Sequence, residues 1–333
     1  MKRVVTVALT LGLIALLVGM GWLLATHTSA EQWRRIGEAW ASPWIVPAVL
    51  GLGASYLLRA ARLQAEWRDR TGATYGDCLM LFVLHNAAVI WLPMRSGEAG
   101  YAIWLKQRWD VPLKTSLTSL LWLRLQDALV LAILSVAVWL ALQAQIAPVA
   151  GLLLGAVLAV LGAVAVTLGQ RRWGARIARA CAAPGPGLVS GLLRVTAKVT
   201  EALASGRGGW RAWAYCVVNW VIKLATLAGW MGLAAALSGN AALLGSVAGE
   251  WAGVLPVQAP GGVGTYEAAV WLGVRSATPV GEGAAASAAL VLQAAVSAHA
   301  LSLVVATGAA LLALAWRFVQ RRSGASAPLE PGG

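Results

Sequence analysis

Arg95, Glu98, Arg124, Asp127, Lys223, Glu250 and Glu267 stand in stretches that are otherwise apolar. A charge removed from water needs a partner, a wet path or a ligand, so the chemistry of this chain is sought there first. Arg95 is the sharpest candidate. A guanidinium grips phosphate through two parallel hydrogen bonds, and Arg95 sits in the break Leu92-Pro93-Met94-Arg95-Ser96-Gly97-Glu98, where free helix-end amides favour an anion. The alternative is an arginine that reaches out to the membrane interface. Arg124 and Asp127 are three residues apart, on one helix face and able to pair. Either they neutralise each other inside a bundle, or they line a polar path and exchange partners as an anionic headgroup passes.

Glu98 and Glu267 hold similar places, each just after a break, and Glu250 flanks the second break on its other side. A poorly solvated carboxylate suits H+ or cation coupling; an acid in the first turn of a half-helix also suits simple capping. Both readings stand. His85-Asn86 and Lys223 are supporting polar groups, and His85-Asn86 reads most simply as a satisfied buried pair. Other chemistries find no footing. Cys78, Cys181 and Cys216 are far apart, and His27, His85 and His299 lack ligand spacing, so no metal is expected. Gly261-Gly262-Val263-Gly264 lacks the Lys-Ser/Thr of a phosphate loop and reads as close packing or a hinge. No nucleophile elbow or triad spacing is present. No cofactor is expected, and the chain is expected not to be an enzyme.

The elements that must position these residues follow from composition. Hydrophobic residues make up 59% of the 333, charged residues only 12%, and mean hydropathy is +0.72. Soluble domains carry roughly twice that charged fraction. Apolar runs at 4–25, 43–61, 114–141, 147–168, 212–236 and 285–316 approach or exceed the roughly 20 residues that cross a hydrocarbon core. The first follows Met1-Lys2-Arg3 and exceeds the about 7–15 residues of a signal-peptide core, so a retained span is expected.

Two further regions, 77–108 and 242–276, are apolar but broken. Pro93 and Gly97 punctuate the first; Pro256, Pro260, Gly261, Gly262 and Gly264 punctuate the second. Proline removes a backbone donor and glycine loosens the helix, so each region is expected to be two short helices around a turn. The pieces reach roughly 20 Å at 1.5 Å per residue, short of the ~30 Å core. Re-entrant hairpins fit this length; a kinked full span followed by a loop is the competing reading. The expected fold is all-α: about six full spans plus two re-entrant helical hairpins that form an inverted repeat, as in many secondary transporters.

Charge is consistent with that layout. The net charge of +13 is distributed between apolar runs and carries no aromatic-basic module, so nucleic acid is not an expected partner. With both termini cytoplasmic, Arg34, Arg35 and Arg275 fall outside and Arg95, Arg124 and Lys223 at membrane depth. Every other Lys and Arg of the 26, Arg59 and Arg62 among them, falls inside. The positive-inside rule expects such an excess. Residues 1–322 are thus expected to be one integral domain of the cytoplasmic inner membrane. The basic stretch 171–210 is expected to be an interfacial segment or a plain basic loop, and 323–333 a disordered tail.

The chain resembles the flippase-like family named for the transmembrane region of lysylphosphatidylglycerol synthase, also found in multiple peptide resistance factors. The resemblance is carried by His85-Asn86 with Leu92-Pro93-Met94-Arg95-Ser96-Gly97-Glu98, by Arg124-Leu125-Gln126-Asp127, and by Pro260-Gly261-Gly262-Val263-Gly264-Thr265-Tyr266-Glu267. It implies movement of a lipid or lipid-linked headgroup across the cytoplasmic membrane. The soluble aminoacyl-transfer domain of the synthases is expected to be absent. Tyr101 and Tyr266 depart from the pattern where a basic residue is common, and Leu123 where an acidic one is. The expectation is a flippase or transporter of an anionic phospholipid or lipid-linked precursor, with anionic lipids as partners. Two alternatives are a membrane enzyme that modifies a headgroup and a membrane subunit that recruits a soluble transferase.

Overall fold

The computed structural model describes residues 30–92, 96–181, 209–254, 260–277 and 288–325. Within them the chain is helical: α1 (Ala30–Ala41), α2 (Ile45–Thr71), α3 (Tyr75–Trp91), α4 (Glu98–Trp109), α5 (Leu113–Gln143), α6 (Pro148–Cys181), α7 (Gly209–Ala235), α8 (Gly239–Val254), a 3-10 turn at Pro260–Gly262, α9 (Thr265–Ser276) and α10 (Ala288–Ala325). Five of these, α2, α5, α6, α7 and α10, are long and apolar enough to cross a membrane. The protein is a polytopic helical membrane bundle. Its outward side chains are apolar, as at Leu50, Val149 and Leu312, which is the polarity a lipid surroundings requires.

The two broken regions are helical hairpins. In the first, α3 and α4 flank the break; at 1.5 Å per residue they reach about 26 and 18 Å, and neither alone crosses about 30 Å of hydrocarbon. Thr74 and Asp77 start α3 with reciprocal capping bonds, Asp77 N–H to Thr74 Oγ1 at 3.2 Å and Thr74 N–H to Asp77 Oδ2 at 3.4 Å. Gly97 opens α4 and is buried: a Cβ there would overlap the backbone of Ala88 and Val89 on α3. Glycine is needed at that point so that the two helices can close on each other.

In the second hairpin α8 and α9 lie together through small residues. Gly245 and Gly249 face Val270 and Tyr266, and Gly273 faces the Leu244 carbonyl, the close approach that membrane helices use in place of a hydrophobic drive. Its turn takes left-handed backbone at Gly261 (φ 70°), Gly262 (φ 70°) and Gly264 (φ 81°), a region costly for other residues.

The orientation of the hairpins follows from the α2–α7 pair. Gly51 packs on Thr226, Ser55 donates to Asn219 Oδ1 at 2.5 Å, and Arg62 reaches Cys216 Sγ at 3.3 Å. Positions rise along α2 as they fall along α7, so the pair is antiparallel. The first hairpin follows the C-terminal end of α2 and the second follows that of α7. They therefore begin at opposite ends of the bundle and converge: α3 touches the turn Pro260–Gly262.

Several boundaries differ from the sequence expectation. The span placed at 43–61 continues to Thr71, because Arg62 and Glu66 fall on the buried face beside Leu63 and Trp67, and Gly72, left-handed at φ 68°, is what stops it. Arg62 is consequently buried inside the bundle and not in a cytoplasmic loop. Helix α6 runs through to Cys181, so the first part of the 171–210 stretch is helix continuous with the apolar span Pro148–Gly169; 182–208 lies outside the described residues. Helix α10 extends to Ala325, past the expected start of the tail, and 326–333 lies outside the described residues, as does the first span at 4–25. Helix α1 was not anticipated. Its signal was Glu31, Arg34, Arg35 and Glu38, spaced to pair along one face, as Arg34 does with Glu31 at 2.8 Å and with Glu38 at 2.5 Å.

Candidate functional site

Where the two hairpins meet α2, α5, α7 and α10, they line an open cavity of about 170 Å³. Its lining includes Arg59, Arg124, Lys223, Glu250, Tyr266 and His299. Charges on five elements meet there, and nearly all of them are matched.

Asp127, on α5, accepts from Arg62 Nη1 at 2.7 Å and from the Trp220 indole at 3.0 Å. The second Arg62 nitrogen donates to the Leu123 carbonyl. Arg62 and Asp127 thereby tie α2, α5 and α7 together at the cavity floor. Burying an ion pair costs several kcal/mol per ion before attraction repays it, and these further hydrogen bonds are what repayment requires. The expected Arg124–Asp127 pair does not form. Arg124 reaches Glu98 at 3.1 Å instead, because the α4 N-terminus brings that carboxylate against one side of α5 while Asp127 is held from another by α2 and α7.

Lys223 Nζ lies 2.6 Å from Glu250 Oε2, joining α7 to α8. His299 Nδ1 on α10 lies 2.7 Å from Glu267 Oε1, while Glu267 Oε2 accepts the Gly264 N–H at 2.7 Å. Glu267 is thus both a half-helix cap and half of a buried pair. Glu98 makes its bond across to α5. In each hairpin the acid just after the break is joined to a cation or imidazole on the next long helix, Glu98 to Arg124 and Glu267 to His299. Each hairpin also sets a tyrosine against an imidazole, Tyr101 with His85 at 5.5 Å between ring centroids and Tyr266 with His299 at 4.6 Å. The two halves repeat their chemistry as well as their shape.

Arg59 differs. Its guanidinium donates to Asn219 Oδ1 at 3.2 Å and lies over the rings of Phe82 and Trp220, at 5.9 and 5.2 Å from their centroids. Among the described residues no carboxylate stands within 4 Å of it. The Tyr266 hydroxyl is buried at the cavity wall and has no hydrogen-bond partner among the described residues. Arg59 and the Tyr266 hydroxyl, which line one cavity, are both able to donate to an oxygen that enters it.

Of the residues singled out from sequence, His85, Asn86, Arg124, Asp127, Lys223, Glu250 and Gly261 line the cavity, and Glu98 and Glu267 bond to residues that do. Gly97, Gly262 and Gly264 shape the hairpins, and Pro260 begins the 3-10 turn. Pro93, Arg95 and Pro256 lie outside the described residues. Arg59 and Arg62 were missed, although a signal existed: Ser55, Arg59, Arg62 and Glu66 recur at helical spacing and mark one polar stripe on an apolar helix. Among the described residues no group of three or more His, Cys, Asp or Glu could hold a metal.

The sequence profile described as Lysylphosphatidylglycerol synthase TM region matches residues 5–297. No curated protein and no solved structure matches the chain.

Proposed function

The chain belongs to the lysylphosphatidylglycerol synthase TM region family, and from that premise we propose that it is a flippase or transporter that moves an anionic phospholipid, or a lipid-linked precursor, across the membrane. One observation carries the reading. The carboxylates Asp127, Glu250 and Glu98 lie against Arg62, Lys223 and Arg124, whereas Arg59 lines the same cavity with no carboxylate within 4 Å among the described residues. A phosphate bound by that guanidinium would give it the counter-charge that no described carboxylate supplies.

The paired charges then have a transport role. A headgroup that enters as an anion competes with Glu98 for Arg124 and with Glu250 for Lys223, and each carboxylate takes its cation back as the headgroup leaves. No pair has to remain unsatisfied in a medium of low dielectric. We assign H+ or cation coupling to Glu267 and His299, since that pair sits in the first turn of a half-helix and bridges it to α10. The reading is of a carrier and not a catalyst, placed in the cytoplasmic membrane with both termini cytoplasmic.

The test is leaflet exchange of labelled anionic phospholipid in liposomes containing the purified protein. Wild type is expected to speed exchange, and Arg59→Gln to slow it by about tenfold or more, the scale of losing a charge-assisted phosphate contact. Unchanged exchange with wild-type protein across several anionic lipids sinks the proposal. A chemically new lipid product would replace it with catalysis.

A further inference from the structure

A second hollow runs along the outside of the bundle, separate from the charged cavity. It is a groove of about 1150 Å³ between α2, α3, α4 and α10, and its walls change character along its length. Leu50, Leu57 and Leu312 form an apolar stretch and are exposed at 66%, 49% and 74%. Past Leu57, whose carbonyl accepts from the Tyr75 hydroxyl at the start of α3, the C-terminal ends of α4 and α10 add Gln107, Arg108, Arg317 and Gln320 to the lining. Asp77 is there too, but it is engaged by Arg108 at 3.1 Å. Arg317 has no carboxylate within 4 Å among the described residues. An apolar channel with a surplus cation at one end has the polarity of a single anionic amphiphile.

Groove and cavity share a thin wall. Tyr56 lines the groove and Phe82 the cavity, and their rings meet edge to face with centroids 5.4 Å apart. Asn86, on the cavity side, donates to the Tyr56 hydroxyl at 3.4 Å. Behind Phe82 stands Arg59. At this point the partition is held by an edge-to-face ring contact and one long hydrogen bond, and it separates the groove from the Arg59 guanidinium of the cavity. Volume divides the labour. At about 170 Å³ the cavity is smaller than the roughly 300–1,000 Å³ that pockets for drug-sized ligands occupy; it admits a headgroup but not acyl chains.

We propose that the groove is the loading site for one anionic phospholipid, with its chains against Leu50, Leu57 and Leu312 and its phosphate at Arg317, and that Tyr56 and Phe82 are the gate its headgroup passes to reach Arg59. This rests on the transport reading above. The experiment combines a photoactivatable anionic phospholipid, mapped by peptide after irradiation, with leaflet exchange of the same lipid. Gly53 lines the groove and has open space where a Cβ would stand, so Gly53→Trp plugs the groove without moving backbone; Arg317→Gln is a second variant at a surface position. Wild type is expected to be labelled on α2 and α10. Both variants, confirmed folded by an unchanged melting temperature, are expected to lower labelling and exchange together by about tenfold. Tyr56→Ala is expected to keep the label and raise the exchange rate. Full exchange by Gly53→Trp and Arg317→Gln overturns the groove while leaving the transport reading in place. Groove labelling without any exchange by wild type removes the transport reading alone. Capture of residues 4–25 of the same chain by a cross-linker on Gly53→Cys would make that segment the occupant and overturn the proposal.

Discussion

Arg62 Nη1 lies 2.7 Å from Asp127 Oδ1, with the two side chains exposed by only 4% and 7%. Nearer in sequence, Arg124 shares a helix face with Asp127 yet bonds elsewhere. The buried pair is a fastening between three helices; the outer one, Arg124 with Glu98, is part-exposed. This division of labour separates the effects of otherwise similar substitutions.

Asp127→Ala leaves the Arg62 guanidinium buried without its anion. The expected loss is about 3–5 kcal/mol, the usual result of removing one member of a buried pair. Thermal unfolding in detergent would read it as a marked fall in melting temperature. The double variant Arg62→Met with Asp127→Leu should recover most of that fall, and a double variant no better than the single would refute the pairing.

Glu98→Gln acts on a pair whose side chains keep 31% and 27% of their exposure. Stability is expected to change by only about 0.2–1 kcal/mol, whereas anionic lipid exchange should drop clearly. Loss of both in step would mean that Glu98 holds the fold and does not serve the path.

Gly97→Ala forces a methyl group into the backbone of Ala88 and Val89, while Gly100, three residues on, has open space. Overpacking of this kind costs about 1–3 kcal/mol, so Gly97→Ala should lower the melting temperature and Gly100→Ala should not. Equal behaviour of the two would argue against the closed first hairpin.

Ile90 and Val254 come from different hairpins and line one cavity. In a background lacking Cys78, Cys181 and Cys216, cysteines at these two positions should be joined by a short bifunctional maleimide in intact membranes. A pair that stays unlinked under conditions that label each cysteine singly would place the hairpins apart.

Tyr266→Phe removes a buried hydroxyl that no described residue satisfies. The folded protein should lose nothing and gain up to about 1 kcal/mol from the relieved desolvation. Retention of anionic lipid, measured by native mass spectrometry, should fall if the headgroup supplies the missing partner. Destabilisation would point instead to a structural bond.

Much of the architecture was legible in the chain itself. A helix in hydrocarbon must satisfy its own backbone, so long apolar runs can hardly be anything else, and α5, α6, α7 and α10 stand near their expected places. The breaks were equally plain, because Pro260 and the glycines at 261, 262 and 264 exclude a continuous helix. The ends were less so: α2 runs ten residues beyond its apolar core to Thr71, since burial by neighbouring helices, and not local hydrophobicity, decides where a charged turn stays helical.

The sequence by itself determined that the protein lives in a membrane, that two of its helices are broken, and which ionisable groups must be explained. It did so because hydrophobic length, proline and glycine act locally and need no neighbour to be read. Only the tertiary structure decided who partners whom. Arg62 takes the carboxylate that spacing offered to Arg124, and Arg59 emerges with no carboxylate beside it among the described residues, because a long side chain chooses among the groups that other helices bring within its reach, and that choice is made across the fold and not along the chain.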